Sequence, residues 1–402
     1  MAATKLSMKL SRIASKSAGP FMVVALLVTL FVSAFLASSS EADDYVAAQS
    51  YVHAFNNNVT VLTEVFALNK DFSLDTAVYG KYTVDFIQPG LFREDGEGGD
   101  AVSGASSSTA GGGNDTRNEF TVGLSHNFSG IVAVELYYDY SNESDYTSRT
   151  PSINLKKELF NKNTTLTFGY SRNDDDISGR FMDSARARTT DNYYLGLTQI
   201  ISPVSILQVG YAHTESDGFQ AEGIRLVPVD GVTADSCTDK SATCLEESFP
   251  ALKKRNAYIF GINHYFTGEL GGFGQLLDRS SIKLTFRYYD DDWDIESYTG
   301  EVEYFKYLSD SNLLRLNYRF YTQSAAFFFK ENYLSSDALR SSSPQHRDFN
   351  TNLVGIKVSH NLLESLYIGP LVMGGIDGKY EFYAESTGTQ AHVFMASLRF
   401  TY

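Results

Sequence analysis

From about residue 44 to the end of the chain, short segments recur in which side chains change character at every second residue. In IVAVELYYDY (131–140), Val132, Val134, Leu136, Tyr138 and Tyr140 share one face, and Ala133, Glu135, Tyr137 and Asp139 share the other. TTLTFGYS sets Leu166, Phe168 and Tyr170 against Thr165, Thr167 and Gly169. SIKLTFRYY sets Ile282, Leu284, Phe286 and Tyr288 against Lys283, Thr285 and Arg287, and NLLRLNYRFY sets Leu314, Leu316, Tyr318 and Phe320 against Arg315, Asn317 and Arg319. A period of two is the signature of a β-strand whose faces meet different surroundings. The chain ends in the same way, on ASLRFTY, with Phe394, Leu398, Phe400 and Tyr402 on the apolar face.

Alternation alone fits a soluble sandwich, with its apolar faces in a core, and a membrane barrel, with its apolar faces toward lipid. Connection lengths separate the two. Short connections are expected at 127–130, 160–163, 201–205, 308–312 and near Leu363 to Tyr367. Long polar ones are expected at 88–117, 142–150, 173–190, 220–254, 290–297, 324–348 and 384–389. Short and long take turns, as the periplasmic turns and external loops of a barrel do. The count is about sixteen strands, with fourteen also compatible because 45–72 is irregular. An even number places both termini in the periplasm. Phe394, Leu398, Phe400 and Tyr402 then form a C-terminal insertion signal in the closing strand, to be read by the barrel-insertion machinery.

Mean hydropathy is slightly negative. A single long apolar run is present, which excludes a multi-helix membrane protein. A barrel hides its lipid-facing residues one position at a time, and an aromatic content of 14% suits its interfacial girdles. The net charge of −15 argues against nucleic acid as a partner. Lys5, Lys9, Arg12 and Lys16 precede the apolar stretch Phe21 to Ala37, and Ser40-Glu41-Ala42 supplies a cleavage site before Asp43. This is the pattern of a cleaved secretory signal peptide. An uncleaved inner-membrane anchor is the alternative. The expected organisation is therefore a signal peptide at 1–42 and an outer-membrane barrel at 43–402 in a Gram-negative cell.

Cys237 and Cys244 are the only cysteines, and in an exported chain they are expected to form a loop disulfide. No C-x-x-C-H haem motif occurs, and neither a cofactor nor a metal is expected. If the apolar faces meet lipid, the lumen is lined by Glu135, Asp139, Lys283, Arg287, Glu301, Glu303, Arg315, Arg319, Lys357 and Arg399, with Lys379 and Glu381 beside them. Such charges either tune which ions pass or simply pair across the ladder and fill a narrow interior. Inward Tyr137, Tyr289 and Tyr321 would narrow it. Acidic runs at Asp174–Asp176, Asp290–Asp294 and Glu94–Asp100 either bind a hard cation such as Ca²⁺ or simply keep external loops hydrated; none has the spacing of a calcium loop. The Gly/Ser-rich run 99–115 reads as a flexible loop. The seven histidines lie in no nucleophile motif, and no enzyme is expected.

GLTQIISPVSILQVGYAHTESDGF (196–219), DDDWDIESYTGEVEY (290–304) and RFYTQSAAFFF (319–329) resemble the bacterial family known as domain of unknown function 3570, as does DAVSGAS (100–106). The resemblance covers most of the exported part and implies an outer-membrane barrel. This chain departs from the family after Phe219, where Gln220 and Ala221 stand in place of an Asn-Pro-Tyr-Arg-like segment and the Cys pair follows. The function expected is a porin-like channel. Its alternatives are a scaffold or sheath around a partner such as a lipoprotein or multihaem cytochrome, and an outer-membrane hydrolase.

Overall fold

The computed structural model describes residues 44–56, 59–88, 115–266, 277–368 and 371–401. In chain order its strands are β1 (Tyr45–Phe55), β2 (Thr60–Ser73), β3 (Thr76–Gln88), β4 (Asp115–Phe128), β5 (Val132–Asn142), β6 (Tyr146–Leu159), β7 (Thr164–Ile177), β8 (Arg186–Ser202), β9 (Ser205–Gly218), β10 (Leu226–Pro228), β11 (Cys244–Glu246), β12 (Leu252–Phe266), β13 (Ser280–Asp291), β14 (Glu296–Tyr307), β15 (Asn312–Gln323), β16 (Phe349–Ile368), β17 (Leu371–Glu385) and β18 (Gln390–Thr401). All but β10 and β11 belong to one closed barrel. Each strand pairs antiparallel with its neighbours, and β1 closes on β18 from Tyr45↔Thr401 to Phe55↔Ala391. The barrel thus has sixteen strands, and fourteen is ruled out. The small sheet β10–β11 sits in the connection between β9 and β12.

The period-two faces decide what surrounds the barrel. Val122 and Leu124 on β4, Phe286 on β13, Leu316 and Phe320 on β15, and Val354 and Ile356 on β16 all stand exposed. Their neighbours Thr121, Glu303, Asn317, Leu353 and Thr351 turn the other way and are buried. A sandwich would cover the apolar faces with a second sheet. Here they stay open around the wall, far beyond the apolar patch a soluble monomer tolerates, so this belt meets lipid.

One edge of the belt is marked by tyrosine. Tyr211, Tyr258, Tyr288 and Tyr298 are ladder partners across β9, β12, β13 and β14. Their ring centroids lie 5.2, 6.1 and 5.2 Å apart in turn. Tyr211 points its hydroxyl at Asn256 Oδ1, 2.9 Å away. An apolar ring with a bonded polar tip suits the membrane interface. Beyond this row the outer face becomes charged, with ion pairs between Arg149 and Asp176 (3.0 Å) and between Lys254 and Glu215 (3.4 Å).

That polar extension corrects the expected loops. Asp174–Asp176 lie on β7, and Asp290 and Asp291 on β13, where the strands continue past the membrane. The expected long loops at 142–150, 173–190, 290–297 and 384–389 shorten to 143–145, 178–185, 292–295 and 386–389, so that end carries short links as well as the long ones at 219–251 and 324–348. Leu363 to Tyr367 lie within β16, which runs on to Ile368. The expected signal peptide, the Glu94–Asp100 run, most of the 99–115 run and Tyr402 lie outside the described residues; Asp115 opens β4.

The face assignment predicts an asymmetry between near neighbours on β16. Ile356→Arg would place a charge against lipid and cost roughly 2–4 kcal/mol. Ser359→Arg points inward and should cost about 1 kcal/mol or less. Urea titration of the barrel folded in vesicles reads the difference.

Candidate functional site

The closed ladder brings the inward charges of distant sequence segments onto one wall. On β13–β15, Glu303 receives Lys283 at 2.8 Å and Arg315 at 3.3 Å. Arg315 also reaches Glu381 on β17 at 3.6 Å, and Lys379 holds the same carboxylate at 2.9 Å. Below these, Asp377 lies between Lys357 (3.6 Å) and Arg399 (3.8 Å). Arg287 lies over the ring of Tyr289, 5.1 Å from its centroid. Among the described residues no ion pair within 4.0 Å forms to Arg319 or Glu301, although the two are ladder partners. Cations outnumber carboxylates on this wall, and most carboxylates are already shared.

The opposite wall has the reverse balance. Across β3–β8, Asp85 pairs with Arg117 (2.7 Å), Glu119 with Lys81 (2.6 Å), Glu135 with Lys156 (2.5 Å) and Asp175 with Arg188 (2.8 Å). Asp139 accepts a hydrogen bond from Thr121. The two walls are half a circumference apart in the strand order. Their net charges therefore set up a field across the lumen, focused by its low-dielectric surroundings.

The inward tyrosines lie along the wall. Gly123 gives Tyr137 its room, since a Cβ there would come within 2.4 Å of the ring. Gly196 and Gly210 do the same for Tyr194, at 2.8 and 2.9 Å. Tyr289 donates to Asp291 (2.7 Å) and Tyr321 to Gln323 (2.6 Å), each two residues along its own strand. On the outer face of the last strand, Phe394 and Leu398 are exposed as the alternation requires.

At the long-loop end, segments 219–251, 292–295 and 324–348 knit into a cap that sequence reading did not find. Trp293, Ile295, Ala326 and Phe328 form its buried core. The rings of Phe249, Trp293 and Phe328 surround His346 at centroid distances of 4.7, 5.4 and 5.4 Å. Val229 bridges to Tyr333, and Ser248 to Arg340, so the two long segments share backbone pairing. Cys237 and Cys244 are joined by a disulfide that packs against Phe181 and Leu226. Ala221, Glu222 and Gln345 from the long segments border the same cavity as Glu119, Asp139 and Thr150 of the β4–β6 wall. The cap therefore reaches over the mouth of the barrel.

Two buried titratable groups hold the cap together. Glu247 takes hydrogen bonds from the Ser342 N–H at 3.0 Å and from the Ser341 and Ser342 hydroxyls at 3.4 Å. Burial pushes its carboxyl up to about 7, against the pull of Arg225. His346 accepts or donates at Ser341 Oγ, 2.8 Å from Nδ1, and burial with Lys253 and Arg225 nearby pushes it down to about 3. The raised Glu247 stabilises the closed cap below its unfolded value, and that contribution is lost as pH rises through about 7. The depressed His346 acts in the other direction, and its contribution is lost as pH falls from its unfolded value toward about 3. Hydrogen-exchange protection across 240–250, corrected for the base-catalysed intrinsic rate, should fall between pH 5 and pH 8, and Glu247→Gln should flatten that fall.

No curated protein matches the chain. Among solved structures, it resembles a loop-deleted form of OmpT, an outer-membrane protein of Vibrio cholerae, at 10% identity and a TM-score of 0.44, over 89% of this chain and 98% of that one. It resembles the siderophore receptor PirA from Acinetobacter baumannii at 8% identity and a TM-score of 0.42, over 86% of this chain and 54% of that one. The ferric enterobactin receptor PfeA of Pseudomonas aeruginosa gives 9% identity and a TM-score of 0.41, over 86% and 55%. The chain thus spans about half the length of these receptors. Residues 23–185 and 180–372 match the family model described as a protein of unknown function, DUF3570, and the chain belongs to that family.

Proposed function

We propose that this protein is an outer-membrane conduit through which small ions or solutes diffuse along a polar, charged lumen. The observation that carries this reading is the pair of opposed walls inside a closed barrel, one rich in cations and the other in carboxylates. A plug that only filled space would gain nothing from keeping Arg319 and Glu301 without ion pairs. The route to the membrane is export through a signal peptide cleaved after Ala42, then folding by the barrel-insertion machinery. The long-loop end with its cap faces outward. The protein performs no reaction and holds no cofactor in this account; selectivity comes from the charges of the lumen.

A second reading has its own support. The cap laid over the mouth favours a scaffold or sheath, in which the barrel anchors or surrounds a partner such as a lipoprotein. The two differ electrically. Purified chain in a planar bilayer should give steady openings. Replacing Arg287, Arg315 and Arg319 together by Gln should shift the reversal potential in a salt gradient toward cation preference. A folded, inserted barrel that stays silent would contradict the conduit and leave the sheath.

A further inference from the structure

The acidic wall ends in a cluster of three carboxylates, one of which has a buried oxygen without a donor. Asp115 opens β4, and Glu143 and Asp145 sit in the tight link between β5 and β6. Carboxylate oxygens of the three lie within 4.8 Å of one another. Like charges this close repel in a poorly hydrated place. Asp145 is only 6% exposed, and its Oδ1 is buried without a hydrogen-bond donor. Leaving such an oxygen unsatisfied is costly unless something absent from the protein's own atoms satisfies it.

The surroundings favour a cation. Glu143 and Asp145 border a cavity of about 560 Å³ at the mouth of the barrel, which Glu119, Asp139 and Glu222 also line. The two guanidinium groups on its lining are held elsewhere. Arg117 pairs with Asp85 at 2.7 Å, and Arg188 holds Asp175 through two nitrogens at 3.0 and 2.8 Å.

We propose that Asp115, Glu143 and Asp145 form a binding site for a hard divalent cation of the Ca²⁺ class at the mouth of the lumen. Carboxylates alone make the set, with no nitrogen or sulfur donor, which suits Ca²⁺ over a transition metal. Ca²⁺ also accepts irregular geometry and completes its shell with water from the adjoining cavity. A bound ion ties the start of β4 to the β5–β6 link. This inference does not depend on whether the lumen conducts.

The test is calorimetric titration of Ca²⁺ into the refolded chain in zwitterionic detergent. Each protein is first checked for its folded, heat-modifiable electrophoretic mobility. One saturable site is expected, weakened at least about tenfold by Asp145→Asn and by Glu143→Gln. Asp174→Asn, on the outer face of β7, should leave it unchanged. Should Asp145→Asn fail to fold, Glu143→Gln decides the question alone. No saturable binding up to about 10 mM, beyond the weak end of extracellular Ca²⁺ sites, would overturn the proposal. So would binding that Glu143→Gln leaves intact.

Discussion

In hydrocarbon, an unpaired backbone N–H or C=O has no water to turn to. A sheet that crosses a membrane must therefore close, and the pairing of β1 with β18 is the interaction on which the other features rest. These two strands come from opposite ends of the described chain, with Ala48 opposite Leu398 and Val52 opposite Phe394. Once the ring is closed, every odd–even choice along every strand is fixed, because slipping one residue would turn each lipid-facing side chain inward. The outer belt of Val122, Phe286, Leu316 and Ile356 and the inner charges are two consequences of one register.

The inner face answers to a different cost. Charges taken from bulk water into a narrow lumen need partners, and the ladder supplies them from neighbouring strands. Glu303 and Glu381 are each approached by two cations. The pairing is incomplete in opposite senses on opposite walls, and that residue of charge gives the lumen its polarity. Shape follows similar logic. Gly123, Gly196 and Gly210 let tyrosine rings lie flat, so that a wall rich in aromatic residues need not obstruct the space it encloses.

Much of this was legible in the sequence because period two is imposed directly by the membrane. Leu136 and Tyr138 against Glu135, Tyr137 and Asp139 could be read without any structure. The misreadings occurred where that constraint stops. Past the tyrosine row the outer face of β7 is wetted, and Arg172, Asp174 and Asp176 look like a loop although their backbone still pairs with β6 and β8. The cap was invisible for another reason. Its core joins Phe249, Trp293, Phe328 and His346 from three separate connections, and no local pattern links them. The trio Asp115, Glu143 and Asp145 was missed likewise, since β4 and the β5–β6 link meet only once the barrel forms.

The central claim is that the charged faces of β14 and β15 line a water-filled interior while the alternate faces meet lipid. Single cysteines at Glu301, Arg319, Val302 and Phe320, each probed in bilayers with a charged, membrane-impermeant thiol reagent, test it directly, because both native cysteines are held in the disulfide. Glu301→Cys and Arg319→Cys should react readily, and Val302→Cys and Phe320→Cys should stay inert. Inert inward positions would mean a lumen closed to water, and reactive outward ones would mean the faces are reversed; either result would contradict the account.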